Sequence, residues 1–106
     1  MSKRRVVVTG MGLRSPLGAS PEAMMDALFA GKSGIVAMPE WAQIENLRTG
    51  VAGLCDLVEG EELPRKFKRS MGRVAMLAAL ATRDAVADSG LSPAQVASDD
   101  CGVAYG

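Results

Sequence analysis

The sequence predicts an α/β fold with parallel strands and a long buried helix, of which these residues supply only a first part. Three stretches point there: the β-branched run Val6-Val7-Val8 closed by Thr9-Gly10-Met11-Gly12, a long helical pattern from Pro64 to Gly90, and a second strand-like run opening at Cys101-Gly102-Val103. An uninterrupted apolar strand suits a sheet covered on both faces. A long helical connection is what two parallel strands need between them. Two strands are too few for such a sheet, so residues 1–106 read as the first part of a larger fold.

The elements follow in order. After the first strand, a loop with Ser15-Pro16 and Gly18 leads to Ser20-Pro21-Glu22. There Ser20 can cap a helix, Pro21 suits its first position and Glu22 favours its positive end. Met24, Met25, Leu28 and Phe29 give that helix an apolar stripe, and Gly31 is placed to end it. From Ser33 to Leu63 the pattern is weak, and we expect irregular structure with one or two short strands.

Pro64 then opens the longest helix, with Phe67, Met71, Val74, Ala78, Ala81 and Ala85 at helical spacing and Gly90 as a stop. Around Val74 to Ala81 it is apolar on every side, which predicts burial, and its alanines would let another backbone approach closely. Ser92-Pro93-Ala94 caps a short helical turn before the last strand.

Composition narrows the function. Of the 106 residues, 48% are hydrophobic and 23% charged, as in globular domains. Twelve basic and twelve acidic residues cancel, so nothing in the overall field favours nucleic acid or an anionic membrane. The apolar run near the N-terminus is too short for a signal peptide, and Val74 to Ala81 falls well short of a membrane span. A cytoplasmic location is expected. Cys55 and Cys101 have no metal-ligand spacing and are expected to be reduced and buried. No metal or cofactor is implied.

Thr9-Gly10-Met11-Gly12 with Gly18 invites a dinucleotide-binding reading, but a Rossmann loop runs straight into its helix, and here Arg14-Ser15-Pro16 intervenes. Gly31-Lys32-Ser33 resembles the end of a P-loop, yet the earlier glycine that motif needs is Asp26. Arg65-Lys66-Phe67-Lys68-Arg69 carries more information: four cations in five residues, at a helix start where the dipole disfavours them. Either Glu59, Glu61 and Glu62 neutralise them or an acidic partner does. The chain has no histidine, which removes the commonest general base and activator of a nucleophile. Cys101 follows two aspartates rather than the cations or helix N-terminus that activate a thiol, and Cys55 lies in the weakly patterned segment, so neither cysteine reads as a nucleophile.

Ser2 to Gly12, Ser15-Pro16-Leu17-Gly18 and Leu28-Phe29-Ala30-Gly31-Lys32-Ser33-Gly34-Ile35 together closely resemble the opening of elongating β-ketoacyl-[acyl carrier protein] synthases. The likeness continues through Pro64-Arg65-Lys66, Arg69, Met71, the alanine-rich helix, Asp88 to Pro93 and Cys101-Gly102-Val103, and is weakest over residues 36–60. The resemblance implies a thiolase-like fold, two similar α/β halves in a homodimer. It also implies an enzyme that elongates fatty-acyl chains by decarboxylative condensation of an acyl-enzyme with malonyl-ACP.

The family's nucleophilic cysteine, two histidines and lysine match no residue here, so no catalytic residue is assigned and the chain alone is expected to be inactive. The basic residues with which family members meet acidic carrier protein correspond to Lys66 and Arg69, while Ser70 departs from the subgroup that is basic there. Implied partners are acyl carrier protein and the remainder of the synthase or a homo-oligomer. Two alternatives stand beside this: a non-catalytic carrier-interaction module, and a small nucleotide-binding α/β protein.

Overall fold

A computed structural model describes residues 2–57 and 63–106. Helix α1 (Pro21–Phe29) starts as the sequence dictates: the Ser20 side chain accepts from the Ala23 N–H, and Pro21 occupies the first turn. It ends with Gly31 N–H donating to Leu28 O and Lys32 N–H to Ala27 O, which a positive φ of 67° at Gly31 permits. The weakly patterned segment holds strand β1 (Ile35–Ala37), a 3-10 turn (Pro39–Gln43) and strand β2 (Val51–Gly53). The strands pair antiparallel, Val36 opposite Ala52.

The long helix is interrupted. Arg65–Lys68 forms a single turn, α2, and Arg73–Ser89 forms α3, with Gly72 in extended backbone at its N-cap. Gly72 lacks a helix-favouring side chain, and the chain turns there instead of propagating. The Phe67-Met71-Val74 stripe is therefore not continuous. The cations of the basic cluster also do not begin the long helix, so its dipole does not oppose them. Gly90 closes α3 with φ 73°, and α4 (Pro93–Val96) carries a full capping box between Ser92 and Gln95.

Val6-Val7-Val8 forms no strand and is 95%, 72% and 81% exposed, and Cys101 to Gly106 forms none either. A central strand needs a ladder partner on each side, and among the described residues the only sheet is β1 with β2. For the same reason α3 is covered along one face only. Leu80, 1% exposed, is its one buried residue, while Val74 stands largely in solvent. Cys55 is half-buried and Cys101 exposed, against the expectation that both are inside. No helix among the described residues is long and apolar enough to cross a membrane.

Candidate functional site

The segment Thr9 to Arg14 lies along α3 at backbone contact. A Cβ on Gly10 would sit 2.4 Å from Ala85 O and 2.6 Å from Ser89 N, and one on Gly12 would sit 2.0 Å from Ala81 O. Ala81, Ala85 and Ser89 recur every fourth residue, so they form one ridge of the helix, and small side chains there let the glycines reach its backbone. This contact, rather than phosphate, accounts for the Thr9-Gly10-Met11-Gly12 motif. The nucleotide-binding reading fails because α3 occupies the glycine faces that a pyrophosphate would need.

Two carboxylates on the same helix hold the segment down. Asp88 Oδ2 accepts from the Met11 N–H at 3.0 Å, and Asp84 Oδ2 lies 2.7 Å from Arg14 Nη1. Arg14, its side chain 2% exposed, also donates to Leu13 O and Ala19 O. Sequence patterns alone do not single out Arg14, Asp84 and Asp88. The signal was the i, i+4 spacing of two acids on the alanine-rich helix, which puts both on one face.

The Arg14 hydrogen bond, followed by its charge and that of Arg83, holds the Asp84 carboxyl below its ordinary value, against partial desolvation. A carboxyl depressed on folding stabilises fully above its unfolded value, near 3.8, and that contribution is lost as pH falls through the lower folded value. Asp84 is 35% exposed, so solvent screens the pair. We expect Asp84→Asn to cost about 1–2 kcal/mol at neutral pH, and the gap to the parent protein to narrow as pH falls below 3.8. Thermal melts of both proteins across that range check it, and a gap independent of pH would count against the ion pair.

The turn Ser15 to Gly18 is closed by mutual backbone hydrogen bonds of 3.0 and 3.2 Å, which leaves Pro16 at its tip. A Cβ on Gly34 would lie 2.6 Å from Pro16 Cβ, and one on Gly53 2.8 Å from Pro16 Cγ. Pro16 thus seats on the β1–β2 hairpin. An open groove of about 540 Å³ runs between the N-terminal segment and α3, lined by Thr9, Leu77, Ala81, Ala85 and Tyr105 among others. Among the described residues no group of three or more His, Cys, Asp or Glu side chains could hold a metal ion.

The second feature is the basic surface on α2. Arg65, Lys66, Lys68 and Arg69 are all exposed, and Lys66 Nζ stands 4.8 Å over the Phe67 ring. Lys66 and Arg69, three residues apart, share a face. Glu59, Glu61 and Glu62, which could neutralise the cluster, lie outside the described residues.

The family described as "Beta-ketoacyl synthase, N-terminal domain" matches residues 3–106. The chain belongs to the β-ketoacyl synthase family. It is 42% identical over 103 residues to 3-oxoacyl-[acyl-carrier-protein] synthase 1 of Haemophilus influenzae, covering 97% of this chain and 25% of that protein. It is 35% identical over 106 residues to the tetracenomycin polyketide synthase ketoacyl synthase alpha subunit of Streptomyces glaucescens, covering 99% of this chain and 25% of that one.

The structure of a β-ketoacyl synthase from Burkholderia phymatum STM815 superposes with a TM-score of 0.77 at 40% identity, over 92% of this chain and 24% of that chain. This β-ketoacyl synthase chain therefore has the opening part of the thiolase-like α/β fold, and it spans about a quarter of the length of the relatives it matches. The motifs that carry the family likeness are packing contacts: Gly10 and Gly12 against α3, Pro16 against Gly34 and Gly53.

Proposed function

We propose that this chain is the opening scaffold of a β-ketoacyl-ACP synthase that elongates fatty-acyl chains by decarboxylative condensation of an acyl-enzyme with malonyl-ACP. We propose also that α2 forms part of its carrier-protein docking surface. The observation that carries this reading is the match to 3-oxoacyl-[acyl-carrier-protein] synthases along nearly the whole chain. The chemistry is assigned to residues outside these 106. The chain has no histidine, and condensation needs a group that moves protons and donors that stabilise an oxyanion.

On this reading Lys66 and Arg69 meet the acidic carrier, the rest of the synthase or a second copy covers the open face of α3, and the enzyme works in the cytoplasm. Cations facing an acidic partner mainly raise association rate and fix orientation. Charge reversal at Lys66 and Arg69 in the full-length protein is expected to raise KM for malonyl-ACP about tenfold. Turnover of a short malonyl-pantetheine thioester should stay unchanged. Equal losses with both substrates would mean a folding defect and remove the docking role.

A further inference from the structure

We propose that the elbow between α2 and α3 is a hinge at Gly72, and that Arg73 latches it by holding the backbone carbonyl of Cys55. The device goes beyond the docking reading and stands without it. Glycine is needed where φ is positive or where space is short. At Gly72 neither holds: its φ is −76°, and among the described residues an added Cβ would meet nothing within 4 Å. With ψ at 174°, its backbone is close to that of Ser92, φ −73° and ψ 156°, whose side chain caps α4. A serine would therefore fit at position 72 and cap α3. What glycine supplies there instead is backbone freedom, at the point where a one-turn helix gives way to one of 17 residues.

The start of α3 is loose in other ways. It has no side-chain cap and no acid in its first turn, and the residue that opens it, Arg73, is a cation at the positive end of the dipole. That cation finds its partners on the stretch leaving β2: Arg73 Nη2 donates to Cys55 O and lies 3.8 Å from Asp56 Oδ1. The Asp56 side chain is 91% exposed, so solvent screens the ion pair and the charge-assisted bond to the carbonyl is the main hold. On the other side of the elbow no residue of α2 is buried, so packing among the described residues does not fix its direction. With the latch closed, the turn Arg65 to Lys68 keeps one direction relative to α3; with it open, the turn swings about Gly72.

The test measures the distance distribution between nitroxide labels at K68C and A87C in the full-length protein, its other cysteines replaced by serine. Ala87 is exposed and one helical turn from Arg83, on the same face of α3. The latch uses the backbone of residue 55 and so survives C55S. The parent should show one main distance with a small displaced population. Arg73→Met is expected to raise that population about fivefold with the thermal midpoint unchanged. Gly72→Ser in the Arg73→Met background should restore the narrow distribution, because it supplies the missing cap and removes backbone freedom.

If the parent and Arg73→Met give the same distribution, Arg73 is no latch and the proposal falls. If Arg73→Met lowers the thermal midpoint by several degrees, Arg73 supports the fold at large and the proposal is likewise overturned. If the double variant stays as broad as Arg73→Met alone, the motion does not turn on Gly72, and the hinge is refuted. None of these outcomes bears on carrier docking, which the substrate comparison above decides separately.

Discussion

Gly12→Ala is expected to detach the N-terminal segment from α3. The added methyl would lie 2.0 Å from Ala81 O, 2.7 Å from Ala85 N and 3.0 Å from Ala81 C, all backbone atoms of a regular helix. A flexible side chain could swing aside, but a helical carbonyl can move only with its helix. The segment must back away by more than an ångström, and with it go the Met11 hydrogen bond to Asp88 and the Arg14 pair with Asp84.

Overpacking costs about 1–3 kcal/mol, and two lost hydrogen bonds, one of them between charged groups, add a comparable amount. A total of about 4 kcal/mol is a large share of any domain's stability. Gly50 supplies the control, because a Cβ added there would have nothing within 4 Å and its φ is not positive. Thermal melting of G12A and G50A in the full-length protein, with proteolysis to detect a freed N-terminus, checks this. Equal stability of the two variants would refute the close-packing account.

The isolated 106-residue chain is expected to self-associate, to be partly unfolded, or to pack against companion chains. Its accessible surface is 9017 Å², whereas a compact monomer of this mass exposes about 5,600 Å². Its radius of gyration is 17.8 Å, against about 13 Å for a compact domain of this length. Much of the excess is apolar: Val6, Val7, Val8, Phe29 and Val103 are largely in solvent.

At about 25 cal/mol per Å², a few hundred Å² of uncovered apolar surface forgoes several kcal/mol, which is comparable to the whole stability of a domain. Large apolar patches of this kind also mark contacts between chains. Size-exclusion chromatography with light scattering, together with a thermal melt, measures the outcome. A monodisperse species of 11.0 kDa with a cooperative transition would show the expectation to be wrong.

Local signals were legible in the residues themselves. Ser20, Pro21 and Gly31 bound α1, Ser92 caps α4 and Gly90 stops α3, because capping depends on groups within a few residues of one another. The family was legible as well, through motifs whose spacing is kept by backbone contacts. The break between α2 and α3 was less so, since an apolar stripe at helical spacing runs through it and only Gly72 marks the turn.

What the sequence determined by itself is the set of helix ends, the absence of a histidine to do chemistry, and membership in the β-ketoacyl synthases. What only the tertiary structure decided is how distant residues meet. Gly12 reaches Ala81 and Arg14 reaches Asp84 across some seventy residues of chain, and no local pattern encodes which helix face a glycine pair will touch. The strand-like run Val6-Val7-Val8 follows the same logic in reverse. Its β-branched side chains favour a strand, but a strand is completed by hydrogen bonds from neighbours, and the described residues place none beside it.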